Sequence, residues 1–472
     1  MARIALIGKN SIQYVTLLID IWNSGDCAVL IDWQTPFYTA IEMMRDAGVT
    51  SCYVQAGLWD KYDLNAFSEI EMQHFSVDNA MTFELPTCIY DKFHANYDYS
   101  EAVVIYSSGT TGKSKGVILS HFAINTNADA IIGYMNPSPS NDSIYTVRPL
   151  SHSSTLTGEL LVALKSRTKL IIAASAILPR RILSETKQHD VTILCLNPTL
   201  LSFLCDDVER KYYDLSVLER IYVSGAILND HVYEKAKKVL SGISVFNVYG
   251  LSEASPRVTA QTPECCKSNS VGKPIGGIEV AIVDDNGVLV PNGKRGIIHV
   301  NTPSLFSGYV IGERKHPSLY CGWLNTGDIG FEDMFGEIHV VGRIDDVIIC
   351  DAHKVYPSDV ERLIMKNPSI SDCAVNRCLL NGSEIVGCLY VSEAECVIDI
   401  VRWLKNKLLQ YEIPKKFVRV KTIPRNSRGK VDRTKVFKAS PHKSEGAIEP
   451  SDFSSVQTKI HTYSESCYEI FL

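Results

Sequence analysis

Between residues 1 and about 260, short β-branched runs alternate with stretches of helical period. ARIALIG precedes SIQYVTLLIDIWNSG, and CAVLID precedes PFYTAIEMMRDAG. AVVIYSS, KLIIAAS, VTILCLN, RIYVSG and SVFNVYG follow, with helical segments such as PTLLSFLCDDVE among them. Strand, loop and helix in repetition predict right-handed crossovers and largely parallel sheets covered by helices. Ligands of such sheets collect at the carboxyl ends of the strands. After residue 270 the pattern changes. VAIVDDNGVLV carries Asp-Asn-Gly between apolar runs, GIIHV follows, and GFEDMFGEIHVVGR reads as a hairpin with a four-residue turn, so this part is expected to be antiparallel and barrel-like. Beyond Arg343 the pattern shifts again. VYPSDVERLIMKN predicts a helix opened by Pro and a capping Ser, CAVNRCLL and IVGCLYVS predict strands, and DIVRWLKNKLLQY predicts an amphipathic helix. The predicted fold class is therefore α/β: a large N-terminal domain of parallel-rich sheets covered by helices with a small β-barrel-like unit, then a small α+β C-terminal domain.

Length and composition agree with that division. At 472 residues the chain exceeds what one hydrophobic core organises. Apolar residues at 45% and charged ones at 21% are ordinary globular values, and a formal charge of -6 gives no reason to expect nucleic acid as a ligand. The 14 cysteines include the adjacent Cys265 and Cys266 but form no CxxC pair, which points to reduced thiols in a cytoplasmic protein. MARIALIGKNS reads as a buried strand, not a signal peptide, and no run of eighteen apolar residues predicts a membrane span.

The segment VVIYSSGTTGKSKGVILSHFAI sets a glycine-rich loop between an apolar strand and a second apolar run that could open a helix. It is one residue short of a Walker A box, which needs Gly where Ser107 stands. Gly109 and Gly112 let backbone N–H groups point into one cavity, Ser107, Ser108, Thr110 and Thr111 add hydroxyl donors, and Lys113 and Lys115 add charge: a phosphate cradle. A plain strand-to-helix turn has similar composition, and an NTPase releasing γ-phosphate is a second reading.

Downstream lie Asn247-Val248-Tyr249-Gly250-Leu251-Ser252-Glu253, Gly322-Trp323-Leu324-Asn325-Thr326-Gly327-Asp328, Gly342-Arg343-Ile344-Asp345-Asp346 and Pro424-Arg425-Asn426-Ser427-Arg428-Gly429-Lys430. In this order, and following the glycine-rich loop, these segments resemble the adenylate-forming superfamily of acyl- and aryl-CoA synthetases, nonribosomal peptide adenylation domains and luciferases, over residues 1 to about 437. The resemblance implies a large domain over residues 1–342 whose front end is shorter than usual, a hinge at 343–346 with Asp345 at its pivot, a mobile small domain over 347–438, and a polar tail over 439–472.

It also implies a reaction. ATP would adenylate a carboxylic acid with release of pyrophosphate, and the acyl group would pass to coenzyme A or, alternatively, to a phosphopantetheinyl carrier protein. The loop from Ser107 to Lys115 would hold the β- and γ-phosphates. Tyr249 would offer adenine an aromatic face within the cofactor-binding segment that includes Asn247 and Gly250. Ser252 would place a hydroxyl on the α-phosphate and Glu253 would ligate Mg2+. Asp328 would accept both ribose hydroxyls, with Arg343 as a second contact and Gly225 and Ala226 beside adenine and the substrate carboxylate. Lys430 would bridge the substrate carboxylate and the α-phosphate. RPLSHSS at 148–154 resembles the PLxH form of acyl- and aryl-acid ligases, which favours a fatty or aromatic acid over an α-amino acid and makes His152 either a lining residue of the acid pocket or a hydrogen-bonded structural one.

Two positions depart from thioester-forming relatives: Ala352 stands where Gly is usual, and Ile349 where Lys is frequent. Thirteen Lys or Arg against two acidic residues between Val401 and Lys438 would suit the phosphates of coenzyme A or an acidic carrier protein, or make a solvated helix face. The tail, with Tyr463, Tyr468 and Phe471, reads as disordered or as a docking segment. A monomer or homodimer is expected.

Overall fold

The computed structural model describes the chain apart from residues 61, 63–68, 78–79, 109–113, 175–177, 311–318, 351–352, 381–382, 394–396, 426–429, 438–459, 464–466 and 472. Two large sheets dominate. The first has seven strands in the order Gly308–Tyr309, Ser114–Ser120, Glu101–Ser108, Cys27–Asp32, Arg3–Gly8, Ser51–Gln55 and Glu71–Phe75. The pairings from Glu101–Ser108 through Glu71–Phe75 are parallel. The second has eight strands, of which Ser244–Gly250, Arg220–Val223, Ile193–Leu196, Ser143–Thr146 and Lys169–Ala173 run parallel in that order.

The continuous apolar runs read from the sequence are strands buried on both faces. In Arg3–Gly8, Leu6 joins the core shared by the two sheets, while Ala5 and Ile7 face a separate core under the helix Phe37–Asp46. Caps fix where the covering helices begin: Ser11 accepts from Tyr14 N–H, Ser120 from Ala123 N–H, and Asn197, ahead of Pro198, from Leu200 N–H. Each such cap is worth about 1 kcal/mol.

One junction differs from expectation. The apolar run after the glycine-rich loop is a strand, Ser114–Ser120, antiparallel to Glu101–Ser108, and the helix His121–Met135 starts only after it. The loop therefore joins two strands of a hairpin.

After residue 270 the strands Glu279–Val283, Gly296–Asn301, Leu319–Tyr320, Trp323–Glu332 and Ile338–Arg343 form an antiparallel sheet. Its second expected hairpin turns through residues 333–336, closed by the bond from Gly336 N–H to the Asp333 carbonyl, and the Asp333 carboxylate accepts from Phe335 and Glu337 N–H. Beyond it, a small unit packs the helices Pro357–Ile364 and Val397–Lys405 on strands Asp372–Leu380, Ser383–Val391 and Lys416–Val420. Pro357 opens the first helix as expected, but Ser358 does not cap it: its hydroxyl donates to the Val341 carbonyl. The second helix stops at Lys405, short of the expected Tyr411. In the segment read as a tail, the backbones of Ile460–Tyr463 and Cys467–Phe471 extend this sheet. No helix among the described residues is long and apolar enough to cross a membrane.

Candidate active site

The site assembles where the carboxyl ends of the second sheet meet the antiparallel unit. Strand Ser244–Gly250 ends in the Tyr249-Gly250 pair and turns at once into Ser252–Ala254. Gly250 is required by packing: a Cβ there would lie 1.9 Å from the Pro256 carbonyl oxygen. Gly225, just past the neighbouring strand Arg220–Val223, has φ +96° and makes the turn that leads into Ala226.

Three motif residues far apart in sequence meet here. Tyr249 donates its hydroxyl to Asp328 Oδ2 at 2.6 Å, and Arg343 Nη1 lies 3.2 Å from Asp328 Oδ1. Asp328 and Arg343 are register partners in adjacent strands. Gly327, with φ +70°, turns the chain ahead of Asp328, whose N–H donates to the Thr326 hydroxyl. Burial raises the Asp328 pKa above the ordinary carboxylate value, against the opposing pull of Arg343, the Tyr249 hydrogen bond and Lys430. Burial, and then the Asp328 charge, raise the Tyr249 pKa well above that of a free phenol.

Lys430 is exposed on the small C-terminal unit, yet its charge reaches the Asp328 carboxylate. Ser252 Oγ is 3.0 Å from Ser153 Oγ, which ties the nucleotide motif to the segment after His152. Glu253 accepts from the Tyr309 hydroxyl at 2.9 Å, and Lys115 sits 5.5 Å from the centre of the same ring. One tyrosine thus connects Glu253 to the hairpin that carries the glycine-rich loop.

Other expected residues have different surroundings. Asn247 spends its amide N–H on the Ser270 carbonyl and so anchors the strand end. His152 Nε2 lies 3.6 Å from Asp32 Oδ2, at the end of a strand of the first sheet. Asp345 is exposed in the turn Ile344–Asp346, and its carbonyl accepts from Arg377 at 2.6 Å. Ile349 is exposed. Gly109, Thr110, Thr111, Gly112, Lys113 and Ala352, the side chains of Ser107 and Ser108, and the segment 426–429 ahead of Lys430 lie outside the described residues.

The site also contains residues that the motifs do not mark. Asn10 donates to the carbonyls of Arg148 and Ala173 and accepts from Leu150 N–H, binding the first sheet to the second. Arg148 donates to Ser224 at 3.0 Å and to Glu159 at 2.6 Å. Burial pushes the Glu159 pKa up, opposed by Arg148 and Arg257. Arg148 stands within the RPLSHSS segment, and its charge between apolar Val147 and Pro149 was the available signal.

Tyr249, Ser252 and Glu253 stand at the carboxyl edge of a parallel sheet, with Asp328 and Arg343 meeting Tyr249 from the antiparallel unit, the place where α/β sheets of this kind bind their ligands. The chain belongs to the AMP-binding enzyme family, whose model matches residues 2–310. It is 27% identical to the 4-coumarate–CoA ligase CCL1 of Humulus lupulus, over 92% of this chain and 84% of that one. It is also 27% identical to the 2-succinylbenzoate–CoA ligase of Bacillus mycoides (strain KBAB4), over 92% and 88%. Among solved structures it resembles ATP-bound MatB from Rhodopseudomonas palustris, with TM-score 0.82, 23% identity and coverage of 92% and 87%. O-succinylbenzoate coenzyme A synthetase from Bacillus subtilis, in complex with ATP and a magnesium ion, matches with TM-score 0.78, 22% identity and coverage of 92% and 89%.

Proposed function

We propose that the protein is an ATP-dependent acid–thiol ligase acting in two steps. A carboxylate oxygen attacks the α-phosphorus of ATP, pyrophosphate leaves, and an acyl-adenylate forms. The thiolate of coenzyme A then attacks the acyl carbonyl and AMP leaves. The observation that carries this reading is the convergence of Tyr249, Asp328, Arg343 and the charge of Lys430 on one point, with Ser252 and Glu253 on the adjoining turn.

Each residue has a task the reaction requires. Asp328 accepts the ribose hydroxyls. Ser252 donates to the α-phosphate, and Lys430 neutralises the two anions that must meet. No group of three or more His, Cys, Asp or Glu among the described residues could hold a metal ion, whereas Glu253 offers a single carboxylate. That set suits Mg2+, which takes one or two carboxylates and completes its shell with phosphate oxygens and water, and which neutralises charge on the phosphates when bound. Tyr309 aims the Glu253 carboxylate. Tyr309→Phe is expected to raise the Mg2+ concentration at half-maximal rate about 3- to 10-fold, from loss of one hydrogen bond to a charged group, as measured by a Mg2+ titration of AMP release.

The small unit is proposed to turn about Asp345 between the steps. Its contacts to the antiparallel sheet include the ion pairs Arg295–Asp359 and Lys354–Asp285, all partly exposed. Such pairs are worth about 0–1 kcal/mol each, so separating them costs little. The relatives named above as CoA ligases support coenzyme A as acceptor. The deciding experiment supplies ATP, Mg2+ and a panel of acids, then adds coenzyme A. AMP, pyrophosphate and a thioester are expected; ADP with orthophosphate would discard the reading.

A further inference from the structure

Helix His121–Met135 carries a side chain that its core position does not call for. Asn127 is 1% exposed and lies among Ile124, Ala128 and Ile131, all buried on the same helix. Asn is a poorer helix former than Ala or Leu, and an amide removed from water is costly unless its groups are bonded. Here they are. Its Oδ1 accepts from Arg257 N–H at 2.9 Å, and its Nδ2 lies 2.8 Å from the Arg257 carbonyl oxygen, 3.2 Å from the Ala254 carbonyl oxygen and 3.2 Å from Ser304 Oγ. Ser304, also 1% exposed, donates its hydroxyl to the Ala254 carbonyl at 3.1 Å.

All these bonds fall on one short stretch. Ala254 ends the turn that begins with Ser252 and Glu253, and Arg257 opens the strand that follows. Between them Ser255 has φ +67°, a conformation that a residue other than glycine keeps only where its surroundings fix it. The Glu253 carbonyl accepts from Phe306 N–H at 2.9 Å, two residues beyond Ser304. The opposite end of the connection is the glycine-rich loop. Strand Ser114–Ser120 follows that loop and runs directly into the helix of Asn127, and the same strand pairs with Gly308–Tyr309. Asn127 thus joins the helix behind the loop to the turn that presents Glu253.

Resting on the ligase reading, in which Glu253 ligates Mg2+, we propose that Asn127 is a positioning residue. Assisted by Ser304, it fixes the Ser252–Ala254 turn to the helix behind the glycine-rich loop, so that the Glu253 carboxylate and the loop that holds the phosphates are presented to Mg2+ as one unit. An apolar side chain would suit the helix and the core, but it would leave the buried Ala254 and Arg257 carbonyls short of a donor and the turn free to shift.

The test reads binding: the ratio of ATP affinities measured with Mg2+ and with a chelator, by titration calorimetry of the full-length protein. Mg2+ is expected to tighten ATP binding by the parent. Asn127→Ala should lower the ratio about 3- to 10-fold, and Ser304→Ala, which removes one donor from the Ala254 carbonyl, should lower it less. In a Glu253→Gln background Asn127→Ala should make no further difference, because its effect passes through that carboxylate. Ile131→Val trims the same helix one turn on, carries no polar bond to the turn, and should keep the parent ratio. A ratio untouched by Asn127→Ala, an equal fall in the Glu253→Gln background, or an equal fall from Ile131→Val overturns the positioning role. If Asn127→Ala does not fold, Ser304→Ala decides by the same criteria. A parent that releases no AMP from any acid discards the ligase reading, while the binding ratios still decide the role of Asn127. A parent whose ATP binding is indifferent to Mg2+ overturns the role of Glu253 and that of Asn127 with it.

Discussion

Lys430→Ala is expected to lower acyl-adenylate formation by about 10²–10³-fold, while acyl-adenylate supplied ready-made still reacts with coenzyme A at close to the parent rate. The split follows from where the charge is needed. In the first step a carboxylate approaches a polyphosphate, and the lysine offsets repulsion that grows as the oxygen nears phosphorus. In the second step the adenylate already exists, pyrophosphate has gone, and the nucleophile is a thiolate directed at carbon. Lys430 has the required character: it is exposed on a separate unit, yet its field reaches Asp328. A solvated surface lysine would be silent in both half-reactions. A purely structural lysine would depress both equally, and either result would remove Lys430 from the assigned role.

The same chain shows which parts of a site can be read from sequence. Buried parallel strands were legible because apolar runs such as ALIG and AVLI satisfy two cores at once. The residue types of the candidate nucleotide site could be proposed because each motif is local. The hydrogen bond from Tyr249 to Asp328 was not, since it depends on the antiparallel unit docking against the end of a parallel sheet. KGVILS was ambiguous for a different reason: a short apolar run has too few residues to separate a period of 2 from one of 3.6. Its identity as a strand means that no helix begins where the glycine-rich loop ends, so the proposed phosphate site has no helix N-terminus at that point. Arg148, Glu159 and Arg257 were the least legible. Pattern alone puts a charged residue of a helical segment toward solvent, whereas here topology buries Glu159 against Arg148 and within reach of the charge of Arg257.

Asp328→Asn should separate nucleotide affinity from stability. The amide keeps the shape and can still accept from Tyr249, but it loses the charge and one of the two acceptor oxygens needed by a pair of ribose hydroxyls. ATP binding is expected to weaken about 10- to 100-fold, on the scale of a hydrogen bond to a charged group, as read by titration calorimetry. Stability should move the other way. The folded-state pKa of Asp328 is raised, chiefly by burial, so the folded protein holds this proton more tightly than the unfolded chain does. By linkage, the stability gained from the protonated form is fully present below the unfolded-state pKa and is lost as pH rises through the higher folded-state value. At neutral pH the parent protein therefore bears the cost of a buried carboxylate that Arg343 and Tyr249 offset only in part. The asparagine variant is freed of that cost and should melt no lower than the parent at pH 7, and the difference between them should shrink as pH falls through the raised pKa. Over the same interval the parent should lose ATP affinity, since the proposed ribose acceptor becomes protonated. A variant that melts well below the parent at pH 7 while binding ATP normally would show that Asp328 serves the fold and leaves the nucleotide to other groups.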